Sequence, residues 1–230
     1  MSYYYRFGLI VIAAVLYAAP LGAAESAYEP TEFLARWDRR YRLIDPDVEM
    51  HGGEEKPDYA AAAAELKDGI VTGIPDEEMY YRLGFCYEKL GDYDRALEAY
   101  SSASTALAGR SGGALEYYIP YHIGIANARQ GRYVAAADAF KRALRFPRVS
   151  AAARNNLGFC YNKLSLKRKA IEEFKNAAAL NPRLAEAFLN MGNAQAELGD
   201  LWEAAASLQA AIKLQPDIPG GRYSLGLVQR

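Results

Sequence analysis

The sequence predicts an all-α solenoid of antiparallel helix pairs: about four full repeats, a degenerate N-terminal repeat before them and a C-terminal half repeat after them. Three observations carry this expectation. First, an apolar residue followed by glycine recurs at Gly84, Gly124, Gly158, Gly192 and Gly226, with one step of 40 residues and then three of 34. Self-similarity at such a period marks stacked supersecondary units. Second, Ala96, Ala136, Ala170 and Ala204 keep the same step, each followed four places on by a bulky residue (Tyr100, Phe140, Phe174, Leu208) and three further by Ala103, Ala143, Ala177 and Ala211. Residues three and four apart share one face of a helix, so these form a stripe. Third, Gly91, Gly131 and Gly199 fall between the two patterns, where a glycine in the left-handed conformation ends one helix and turns the chain into the next.

Residues 82–100, RLGFCYEKLGDYDRALEAY, hold the clearest copy. Leu83-Gly84, Tyr87, Gly91, Tyr93, Ala96, Tyr100 and Ala103 stand at spacings that resemble the tetratricopeptide repeat. On that frame the units run 77–110, 117–150, 151–184 and 185–218, with a half unit at 219–230. Small residues let the paired helices approach, bulky ones fill the gaps, and stacking on neighbours buries what each hairpin leaves bare.

Taken in order, residues 1–24 read as an export signal: Arg6 is the lone charge, Phe7 to Ala19 is apolar, and Gly22-Ala23-Ala24 precedes Glu25 as a small-residue cleavage site. The charge-free run of residues 7–24 is 18 long, at the lower edge for a span, so an uncleaved inner-membrane anchor is the alternative. With Arg6 before that run and Glu25, Glu29 and Glu32 after it, both readings put the repeats on the exported, periplasmic side. Thr31 can cap a helix to about Leu43 whose stripe, Phe33, Leu34, Trp37 and Tyr41, would close the first repeat. Residues 44–57 carry Pro46, Gly52, Gly53 and Pro57 and read as irregular loop. Within residues 25–76, Tyr59, Ala62, Leu66 and Gly69 stand 34 places before Tyr93, Ala96, Tyr100 and Ala103, which makes 58–74 the second half of a degenerate repeat. Asp76 is then the N-cap of the first clear unit, opening the repeat domain at 77–230. The six extra residues of the 40-residue step fall in 105–116, where Gly109, Gly112 and Gly113 predict a surface loop. The third unit departs from the pattern at its turn, with Ser165 in place of glycine and Lys167 in place of the usual aromatic.

Composition excludes several classes of function. With 51% apolar residues the chain can bury a sizeable core, and a formal charge of −1, or −2 without Arg6, gives no reason to expect a nucleic acid partner. Cys86 and Cys160 occupy the same place in two units with a whole repeat between them, too far for a disulfide, and read as small buried hydrophobes. His51 and His122 have no nucleophile or metal-ligand spacing around them, and the acidic run from Asp45 lacks the glycine and closing glutamate of a calcium loop. No cofactor, metal or catalytic constellation is expected, and the chain reads as a non-enzyme.

The resemblance implies a concave groove lined by the first helices. Its fifth places here are Tyr81, Tyr121, Asn155 and Leu189, its sixth Arg82, His122, Asn156 and Asn190, its ninth Phe85, Ile125, Phe159 and Asn193, and its thirteenth Lys89, Arg129 and Lys163. This is an apolar, aromatic stripe flanked by hydrogen-bond donors. It suits a protein or peptide partner, although the N-terminal helix or an identical chain is a second way to cover it. The carboxylate clamp of some family members is absent, since its places hold Tyr81, Phe85, His122, Ala152 and Asn156. The expected function is a non-catalytic scaffold in the cell envelope. A fixed structural subunit of an envelope assembly or transport complex is the alternative.

Overall fold

A computed structural model describes residues 58–73, 75–109, 113–146 and 150–229. The expectations for the export signal, the capping helix and the loop around His51 lie outside these residues. The described residues form helices and no strand: α1 Tyr59–Thr72, α2 Glu77–Lys89, α3 Tyr93–Leu107, α4 Leu115–Arg129, α5 Tyr133–Ala143, α6 Ala151–Lys163, α7 Lys167–Leu180, α8 Ala185–Leu198, α9 Leu201–Leu214 and α10 Gly221–Val228. Each helix packs on the next. The tightest pairs are α2 with α3, α4 with α5, α6 with α7 and α8 with α9, which are the four predicted units. Helix α1 packs on α2 as a preceding second helix would, with Ala62, Leu66 and Gly69 buried.

The residues that set the period also hold the pairs together. A methyl group built on Gly84 would lie 2.6 Å from ring carbons of Tyr100, on Gly124 2.6 Å from Phe140, on Gly158 2.7 Å from Phe174, and on Gly192 2.7 Å from Leu208. The bulky residue of each second helix therefore sits directly on the glycine of its partner. All four bulky residues are fully or almost fully buried. Beneath them Ala96, Ala136, Ala170 and Ala204 have no exposed surface.

The four turns share one geometry. Gly91, Gly131 and Gly199 have φ of 79°, 75° and 87°, and Ser165 holds the same left-handed conformation at 61°. In every case the amide of the residue after the left-handed one closes back by five residues: Asp92 on Tyr87, Arg132 on Asn127, Leu166 on Tyr161 and Asp200 on Gln195, all at 2.9–3.0 Å. That bond occupies carbonyls the helix leaves open. At the other end Asp76 caps α2 as expected, its carboxylate accepting from the Met79 amide at 2.9 Å, and Ser150 caps α6. Helix α4 starts two residues before the unit frame, at Leu115, because the Ala114 carbonyl accepts from both Tyr117 and Tyr118 and extends the first turn backwards. Cys86 and Cys160 are free and buried, and burial pushes both thiols up to about 12.

Candidate binding groove

Successive first helices touch one another, α2 with α4, α4 with α6, α6 with α8 and α8 with α10, so their outward residues line one continuous face. A cavity of about 640 Å³ opens on it between α4, α6 and α8. Its lining contains eight of the predicted residues: Tyr121, Ile125, Arg129, Asn155, Asn156, Phe159, Leu189 and Asn190. Seven of these are half-buried and Arg129 is exposed, as a surface that keeps room for a ligand requires. Volumes of this order suit a small ligand or a short stretch of side chains.

Polar contacts tie one unit to the next along the floor. The sixth-place amide of one unit donates to the fifth-place oxygen of the unit before it: Asn190 Nδ2 to Asn155 Oδ1 at 3.1 Å, and Asn156 Nδ2 to Tyr121 Oη at 3.4 Å. Their spacing of 35 residues is the repeat plus one. Tyr121 is also held by its neighbours, stacked on Tyr117 at 5.4 Å and edge-on to Phe140 at 5.8 Å. On the rim, the Lys163 ammonium lies 5.3 Å from the Phe159 ring centre, and Lys89 repeats the arrangement 4.8 Å from Phe85.

Unit one departs from the prediction. Tyr81 and Phe85, together with His122 of unit two, are buried and offer a ligand no free surface. The reason is an aromatic cluster that fills this end of the face: Tyr81 packs on Tyr100, Tyr118 and His122, while Phe85 meets Tyr59 of α1 at 6.3 Å and His122 at 5.6 Å, both edge-on. A buried polar triad sits inside it. Glu88 Oε2 accepts from the Tyr100 hydroxyl at 3.0 Å and lies 3.0 Å from His122 Nδ1. Tyr100 has its hydroxyl held well above its usual range by burial and by the neighbouring Glu88 charge. Arg82 is turned to Glu78 at 2.9 Å. Asn193 is half-buried and outside the cavity lining, and Lys89 is exposed beside the closed end.

Sequence reasoning left out Ala128, Ala152 and Glu186, which also line the cavity. They stand at the twelfth and second places of their units, on the same first helices as the residues that were named. Phe140 and Leu184 complete the floor, and no place rule predicts a second-helix ring or a linker residue there. Glu88, at the twelfth place, is a further omission.

Profiles of the tetratricopeptide repeat match residues 78–104 and 163–219. The chain carries tetratricopeptide repeats in both stretches. No curated protein matches it in sequence. Among solved structures it is similar to "Crystal structure of MamA", at 24% identity over 69% of this chain and 90% of that one with a TM-score of 0.63. "MamA 41-end from Desulfovibrio magneticus RS-1" shares 18% identity over 82% and 96%, with a TM-score of 0.67. "YrrB: a TPR protein with an unusual peptide-binding site" shares 22% over 72% and 82%, with a TM-score of 0.62. At these identities the likeness establishes the fold, the tetratricopeptide solenoid.

Proposed function

We propose that the protein is a non-catalytic scaffold of the cell envelope that takes an extended peptide segment in the groove over units two to four. The observation that carries this is the open cavity between α4, α6 and α8, with Tyr121, Ile125, Phe159 and Leu189 for side chains and Asn155, Asn156 and Asn190 for a main chain. Each asparagine keeps amide or carbonyl capacity beyond its one inter-unit bond, so a bound strand can be hydrogen-bonded without dismantling the wall. Arg129 and Lys163 give the groove a basic edge that favours an acidic segment. The peptide-binding site named for YrrB, a protein of similar fold, supports the reading. The envelope location rests on residues 1–24. N-terminal sequencing of exported protein should find a start near Glu25, and recovery of the repeats in the cytoplasm would refute export.

Photo-cross-linking in cells from positions 125, 159 and 189 should attach a common partner that position 85 does not reach. With that partner in hand, Phe159→Ala should weaken binding roughly tenfold or more, as loss of a buried anchor does, and Lys163→Ala should have a smaller effect that fades at high salt. Unchanged affinity in Phe159→Ala together with loss on altering second-helix residues would favour the fixed-subunit alternative instead.

A further inference from the structure

We propose that a second surface, on the side of the solenoid where its second helices begin, docks onto an anionic membrane. The net charge of −1 conceals a strong segregation. Residues 129–183 carry thirteen Lys and Arg against three Asp and Glu, a local balance of +10 that the rest of the chain offsets. Much of this charge is on the surface. Arg168 and Lys169 lie in the first turn of α7 and are exposed, and Arg132 precedes α5 with its side chain 57% exposed and 3.7 Å from Asp94. Arg168 has no ion-pair partner among the described residues.

Large apolar side chains share this edge. Val134, Arg168 and Trp202 are the second residues of α5, α7 and α9, each 34 or a multiple of 34 from the others, so the repeat sets them in one row along the solenoid. Val134 is 64% exposed and Trp202 89%. Leu166 and Leu201, next to the row, are also exposed. None of these residues lines the groove. A row of cation and protruding apolar residues outside any cleft fits an extended surface better than a strand seeking a cleft. Tryptophan with leucine beside Lys and Arg is the composition of membrane-surface elements, in which rings enter the headgroup layer while cations meet lipid phosphates. Asp200 and Glu203 flank Trp202, so the attraction comes from units two and three and the insertion from unit four. The apolar run of residues 7–24 brings the chain to a membrane, and to that extent the choice of a lipid surface over an acidic protein rests on the export reading.

The chain has two tryptophans, so Trp37→Phe in the full chain leaves Trp202 as the sole reporter. Vesicles containing phosphatidylglycerol should shift its emission to the blue and expose it to quenching by brominated lipid. The shift should weaken as salt rises and be absent with pure phosphatidylcholine. Reversal of Arg168 and Lys169 to Glu should lower the partition measured by this shift tenfold or more, since each surface cation contributes about 1 kcal/mol near such a membrane. Binding through residues 7–24 alone would leave Trp202 in water whatever the lipid, and that result overturns the proposal. An equal shift on both lipids overturns it too, as does a shift caused by polyglutamate and not by vesicles, which would assign the edge to an acidic protein. Because the assay uses vesicles in vitro, a cytoplasmic location would refute export without deciding this test.

Discussion

Adding one methyl group at Gly124 tests whether glycine under a bulky ring is what fixes each helix pair. The built carbon would lie 2.6, 2.7 and 2.8 Å from three ring carbons of Phe140, whereas carbon atoms rest at about 3.5–4.0 Å. The ring must therefore retreat by roughly 1 Å. Phe140 is 1% exposed, in contact with Tyr121 and part of the groove floor, so its ring can retreat only by displacing that floor. Overpacking of this kind costs about 1–3 kcal/mol. Replacing glycine by alanine inside a helix returns up to about 1 kcal/mol of propensity. Gly124→Ala should thus lose about 1–2 kcal/mol net, read as a lower urea midpoint at unchanged slope. Gly226 is the control, because a methyl group there meets nothing within 4 Å, and Gly226→Ala should hold or raise the midpoint. Combining Gly124→Ala with Phe140→Leu should cost less than the sum of the two single changes. Equal effects at Gly124 and Gly226, or strict additivity in the double variant, would refute the steric account.

The strained turn in unit three gives a change of opposite sign. Ser165→Gly should stabilise by roughly 0.5–1 kcal/mol, the left-handed strain relieved exceeding the entropy that glycine adds to the unfolded chain, and an unchanged urea midpoint would refute it. The cysteines predict a pH effect. Their folded thiols are raised to about 12 against about 8.5 in an unfolded chain, so their full contribution is present below pH ~8.5 and is lost as pH rises towards 12. Under reducing conditions the urea midpoint should fall between pH 8 and 10, less steeply in Cys86→Ala, and native protein should resist thiol reagents at pH 8.

The repeat register was legible because it is written in steric residues. Gly84 needs Tyr100, Gly124 needs Phe140, and neither pairing depends on anything distant in the chain. The left-handed turn at Ser165 was legible for the same reason, as its three equivalents are glycines. The lining of the cavity was legible where the place rules meet half-buried side chains, in units two to four. Around unit one the same rules select Tyr81 and Phe85, and His122 from the unit after it, yet their fate is set by contacts no single-unit rule contains: the ring of Tyr59 from α1, the hydroxyl of Tyr100, and the Glu88 carboxylate that binds two of the cluster at once. Burial there is a property of the neighbourhood, and a sequence read unit by unit does not see it. The basic edge escaped for a different reason. Net charge is an average, and thirteen cations over 55 residues disappear in it.

The residues that sit on the glycines are Tyr100, Phe140, Phe174 and Leu208 in turn, and Gly226 has none. Each lock is thus no larger than the one before it once the last aromatic is passed, and the most extensive buried cluster lies around units one and two. In a molecule whose cohesion is shared only between neighbours, such a taper gives unravelling a direction. Heat or a steady pull should peel α10 and then α9 from the stack while the tyrosine-rich end still holds, and the groove, lying between the two ends, would lose its α8 wall before its α4 wall. A partner seated across all three helices would act as a clasp against that order of events.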